Sequence, residues 1–113
     1  MAKSNKPIVW GLFAGGGTLA AFVMPVLIVL TLLVAVGRTP ELLAYDNLRA
    51  VAAHWFGKLV IFGIIFLSLW HAAHRLRVTV HDFGVRSDML VATVVYLIAA
   101  AGSIATAVYL LRI

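Results

Sequence analysis

Pro7 to Gly37, PIVWGLFAGGGTLAAFVMPVLIVLTLLVAVG, is a run of 31 residues without one Asp, Glu, Lys or Arg. A helix rises about 1.5 Å per residue, and about 20 apolar residues carry it across the hydrocarbon core of a bilayer. This run is long enough to cross at a tilt. Two further uncharged runs follow, Leu59 to His74 with 16 residues and Met89 to Leu111 with 23. Across all 113 residues the chain is 64% hydrophobic and 12% charged, roughly half the charge of an average soluble domain. The charges gather at the ends of the apolar runs. The pattern is that of an all-α integral membrane protein with three transmembrane helices, at about residues 8–36, 55–76 and 89–111. The connecting segments are too short to bury a core of their own, so residues 1–113 form a single membrane domain.

The formal net charge of +5 does not point to nucleic acid. A nucleic-acid reader gathers Lys, Arg and aromatic side chains on a polar face, whereas here the basic residues sit at span ends, as membrane topology requires. The absence of Cys removes disulfides, thiolate metal sites and thiol catalysis. A secretory signal has an apolar stretch of about 7 to 15 residues; the first run is twice that length and is expected to remain as a span.

Along the chain, MAKSNKP (Met1 to Pro7) reads as a frayed basic tail, with Pro7 suited to the first turn of a helix. Pro25 removes one backbone hydrogen bond inside the first span and is expected to bend it. Gly37 to Asn47 reads as a loop on the opposite side. From Leu48 the apolar pattern resumes, with His54, Trp55 and Lys58 marking the entry of the second span at the headgroups. Arg75 to Asp88, RLRVTVHDFGVRSD, reads as the return loop, ending at Ser87 or Asp88 as a cap for the third helix. The third span carries small residues, Ala99, Gly102, Ser103 and Thr106, at spacings of three and four that admit a neighbouring helix. It reads as chemically silent, with Arg112 anchoring its end. Three spans place Lys3, Lys6, Arg75, Arg77 and Arg86 on one side and Arg38, Arg49, Lys58 and Arg112 on the other. Five against four favours a cytoplasmic N-terminus.

Chemistry concentrates at the end of the second span, in Trp70, His71, His74 and Arg75, continuing to Arg77, His81 and Asp82. Helical spacing stacks His71 on Arg75 and Trp70 on His74. These groups either bind lipid phosphates or form a site for a polar or redox ligand entering from lipid. A second feature is Trp10 to Gly17, WGLFAGGG. Each glycine costs a helix about 1 kcal/mol relative to Ala, so packing or ligand access is expected to offset the run. It lacks the Lys and the preceding strand of a phosphate loop. Topology joins the two features, because the first span begins on the membrane face at which the second ends. Trp10 and Phe13 therefore lie at the depth of Trp70, His71, His74 and Arg75. Indole, imidazole and guanidinium donors, flat apolar surfaces and an opening to lipid are together what a quinone requires. Glu41, Asp46, Asp82 and Asp88 all fall at ends or in loops, which disfavours an exporter driven by an intramembrane carboxylate.

The stretch Val9-Trp10-Gly11-Leu12-Phe13-Ala14-Gly15-Gly16-Gly17, then Met24-Pro25, and later Leu69-Trp70-x-x-x-His74-Arg75 with His81-Asp82, resembles the D subunit of fumarate reductase over nearly the whole chain. The resemblance implies a three-helix, non-catalytic anchor in a heterotetramer. Its partners would be a flavoprotein with FAD, an iron–sulfur protein carrying the clusters, and a second membrane anchor. The assembly would oxidise menaquinol and reduce fumarate in anaerobic respiration. The resemblance places the quinol contribution of this chain on Trp10, Phe13, Ala14, His74 and Arg75. Ala14 stands where some relatives have Gly. His71 departs from the pattern of haem-free relatives and lies eleven residues before Asp82. In that it resembles succinate dehydrogenase anchors, where such a His ligates haem b. Three readings follow: a quinol:fumarate reductase anchor with a structural His71, a haem b anchor of succinate dehydrogenase type, and an unrelated small transporter or assembly factor.

Overall fold

The computed structural model describes residues 6–113; the tail read at Met1 to Asn5, with Lys3, and the side chain of Lys6 lie outside the described residues. Three long helices carry the fold: α1 (Lys6–Ala35), α3 (Trp55–Asp82) and α4 (Asp88–Arg112). A single 3-10 turn (Glu41–Leu43) and a short helix α2 (Tyr45–Ala53) lie between the first two. All three long helices are long and apolar enough to cross a membrane. With three such helices and no strand among the described residues, the chain is an all-α membrane protein.

The connections have local causes. α1 runs on through Pro25 and ends at Gly37, whose φ of 79° lets the Gly37 and Arg38 N–H groups reach back to the carbonyls of Val34 and Leu33. α3 ends the same way at Gly84, φ 95°, with bonds from Gly84 to His81 and from Val85 to Val80. This pair of bonds is the Schellman ending, which glycine permits because it lacks a Cβ. Between α2 and α3 a single extended residue, His54, turns the chain, and its Nδ1 accepts the Phe56 N–H at 3.2 Å.

Two expectations are corrected by the helix bounds. The segment from Arg75 is not a loop: α3 continues to Asp82, and the connection to α4 spans only residues 83–87. Charge does not stop a helix that has passed the apolar core. At about 1.5 Å per residue, the 28 residues of α3 extend about 42 Å, well beyond the roughly 30 Å hydrocarbon thickness. Second, most of the stretch from Tyr45 forms α2, so the 37–47 loop is shorter than expected. Ser87 holds the N-cap position of α4, but its side chain makes no capping bond.

α3 is the central helix, with α1 packed on one side and α4 on another. Little is buried within the chain: the core is Ala73, Val95 and Ala99, with Leu69, Trp70, Val91 and Tyr96 against it. Close approach replaces bulk, as is usual where lipid is as apolar as the side chains. On α4, Ala99 is 2% exposed and Ser103 is buried, and a Cβ on Gly102 would come within 2.9 Å of Leu69. On α1, a Cβ on Gly16 would meet the Leu67 carbonyl at 2.5 Å and the His71 Cβ at 2.8 Å, while Gly11 and Gly15 face open space. Half of the glycines in WGLFAGGG thus make the α1–α3 seam.

Candidate functional site

The end of the molecule where α1 begins, α3 ends and α4 begins draws the polar side chains together. Phe13 is the hinge of this arrangement. Its ring stacks on His71, with centroids 4.5 Å apart and planes at 15°, and meets His74 at 4.6 Å and 59°. The His71 Nδ1–H donates to the Phe13 carbonyl at 2.9 Å, across 58 residues of sequence. The bond fixes the ring against α1, where the absent Cβ of Gly17 leaves room for it. The expected common depth of Phe13, His71 and His74 is therefore observed as contact.

One turn beyond His71, His74 reaches α4. Its Nδ1 lies 3.2 Å from the Tyr96 hydroxyl, which also accepts from Arg77 Nη1 at 3.4 Å. Arg77 forks onto Asp88, Nε to Oδ1 at 2.9 Å and Nη2 to Oδ2 at 2.6 Å. This bidentate pair ties the last turns of α3 to the first turn of α4. It is the one ion pair among the described residues. The Tyr96 ring stacks on Trp70, centroids 5.6 Å apart at 24°. The Trp70 Nε1–H is buried and has no acceptor among the described residues. Asp88 also sits in the first turn of its helix, where the helix dipole favours a negative charge.

These residues surround a cavity of about 290 Å³, lined by Val9, Leu12, Phe13, Trp70, His74, Arg77 and Tyr96. All three long helices contribute. Its wall is mostly apolar, with imidazole, guanidinium and phenol groups contributing the polar part.

The sequence-predicted residues divide in two. Phe13 and His74 line the cavity, and Ala14 is half-buried on the next position of α1. Trp10 is 68% exposed, and Arg75 is exposed on α3. Tyr96 corrects the expectation of a chemically silent third span: it is the polar centre of the network. Its signal in the sequence was spacing, since Asp88 and Tyr96 are eight residues apart and so share a stripe of α4.

Residues 1–111 match the family model for the D subunit of fumarate reductase. The chain is similar to the fumarate reductase D subunit of Mannheimia succiniciproducens, at 39% identity over 84 residues, covering 74% of this chain and 70% of that one. The D subunits of Actinobacillus pleuropneumoniae serotype 5b and of Haemophilus ducreyi fumarate reductase are each 40% identical over 81 residues, 71% of this chain and 68% of theirs. The chain belongs to the family of fumarate reductase D subunits. Membership and three apolar helices together make it a membrane anchor of fumarate reductase. As a subunit it works within a complex. In this fumarate reductase anchor the network of Trp70, His74, Arg77, Asp88 and Tyr96 gathers where α3 gives way to α4.

Proposed function

We propose that this anchor contributes one wall of a menaquinol site in a quinol:fumarate reductase of the inner membrane, with its N-terminal side cytoplasmic. In this reading the chain carries no catalytic residue of its own. A second anchor, an iron–sulfur protein and a flavoprotein with FAD complete a heterotetramer. The mostly apolar cavity that Phe13 and His74 line together with Trp70, Arg77 and Tyr96 carries the reading. Pockets for whole drug-sized ligands span about 300 to 1,000 Å³. The cavity therefore suits a ring headgroup, with an isoprenoid tail left in lipid.

Menaquinol, when bound, supplies two electrons and two protons. Phe13 and Ala14 would offer the flat and narrow surfaces for its ring, and His74 a hydrogen-bonding nitrogen for an oxygen. Trp10 and Arg75, exposed on this chain, are available to complete a site shared with partner subunits. His71 is read as structural, its Nδ1–H and one ring face joining α3 to α1 at Phe13; a haem ligand would use Nε2 instead, and the absorption spectrum of the purified complex separates the two.

Purification of the complex in mild detergent tests this. The expected result is three copurifying partners and no absorption band of haem b. Trp10→Ala and Arg75→Leu should lower menaquinol oxidation while fumarate reduction from an artificial dye persists. Equal loss of both activities would overturn the reading. A reduced haem b band that disappears in His71→Ala would replace it with the succinate dehydrogenase type of anchor.

A further inference from the structure

We infer that Tyr96 is a positioning residue that holds His74 in the tautomer protonated at Nε2, so that His74 presents a donor to an oxygen of the bound quinone. The inference rests on the quinol-site reading above and adds to it a residue from α4.

Donors and acceptors around the Tyr96 hydroxyl decide the assignment. Arg77 has donors only, so where its Nη1 meets the Tyr96 oxygen at 3.4 Å the oxygen must accept. The guanidinium cannot rotate away freely, because Nε and Nη2 are engaged by the two oxygens of Asp88. The Tyr96 ring is fixed as well, stacked on Trp70 and under the Arg77 guanidinium, whose carbon lies 5.7 Å from the ring centroid. The Tyr96 O–H then has one acceptor within reach among the described residues, the His74 Nδ1 at 3.2 Å. A neutral imidazole that accepts at Nδ1 carries its proton at Nε2. His74 and Tyr96 both line the cavity, so the remaining nitrogen of His74 is the one left for a ligand. His71, one turn earlier, has the opposite assignment: its Nδ1 donates to a carbonyl. Two histidines three residues apart are thus held in opposite tautomers by their partners.

A double-mutant cycle in membranes containing the assembled complex tests this, with dye-linked fumarate reduction as the measure of intact assembly. Tyr96→Phe keeps the stacked ring and removes the hydroxyl. His74→Ala alone should reduce kcat/KM for menaquinol at least about tenfold, and Tyr96→Phe alone about fivefold or more. In the His74→Ala background, Tyr96→Phe should change it less than about twofold, because a residue acting through another has nothing left to act on. Full additivity of the two losses, or no loss in Tyr96→Phe, overturns the inference while leaving the quinol site standing. No loss in His74→Ala would instead remove His74 from the quinol site, and with it the basis of the inference. As a second readout, Asp88→Asn, which releases Arg77, should give a smaller loss that also vanishes without His74; a loss that persists there would count against the chain of positions.

Discussion

At one end of the bundle, where α3 ends and α4 begins, Arg77 meets Asp88 and Tyr96, and Tyr96 meets His74. At the other end, where α3 begins and α4 ends, Lys58 and Trp55 border a larger cavity of about 440 Å³ whose remaining walls are Leu59, Phe62, Ala107, Leu110 and Leu111. Both ends have a cation and an aromatic residue beside a cavity. The difference is in partners: among the described residues Lys58 has no carboxylate in ion-pairing range. A cation with an apolar stem and no partner is what a span needs to settle at the headgroups. A cation held by a fork, orienting a phenol that orients an imidazole, is a constructed arrangement. Volume is therefore a poorer guide to the site than the satisfaction of its polar atoms.

The contrast can be broken at several levels. The largest effect is expected at the seam that holds the polar end together. Gly16→Leu drives a side chain into the Leu67 carbonyl and the His71 Cβ; overpacking of this kind costs about 1–3 kcal/mol or more, and loss of assembled complex from membranes should follow. Gly15→Ala, one residue away in open space, should instead stabilise the helix by up to about 1 kcal/mol, seen as a raised Tm of the solubilised complex. Next comes Arg75→Leu, with menaquinol oxidation reduced about tenfold or more and dye-linked activity within about twofold, in line with the loss of a charged hydrogen bond worth about 1.5–3 kcal/mol.

Smaller again is Asp88→Asn. The Arg77 and Asp88 side chains are 33% and 47% exposed, so solvent screens the pair and a shift of Tm of a few degrees at most is expected. The smallest effect belongs to the far end: Lys58→Gln should leave menaquinol oxidation and Tm unchanged within about twofold and about 2 °C. A tenfold loss there would mean that the two ends are functionally alike.

How far the sequence alone reached follows from the same physics. Exclusion of charge from three runs sufficed to locate three helices, because lipid tolerates few alternatives. It misplaced the end of α3, since charge marks the edge of the apolar layer whereas Gly84 marks the end of the helix. α2 was hidden because YDNLRAVAA is short and carries mixed charge. At the site, the shared depth of Phe13 and His74 was legible from topology. Tyr96 did not stand out, because its eight-residue spacing from Asp88 was its one signal and an aromatic residue in an uncharged run looks the same whether it faces lipid or a neighbouring helix. Trp10 and Arg75 are exposed on this chain, which the proposed sharing of the site with partner subunits requires.

The central claim, that the ring of the quinol lies at the polar end, is most directly tested by cross-linking a photoreactive menaquinone analogue in the assembled complex and mapping the adducts by mass spectrometry. The account predicts adducts in this chain at Val9 to Ala14 and Trp70 to Arg77. Adducts confined to Trp55 to Phe62 and Ala107 to Leu111 would contradict it.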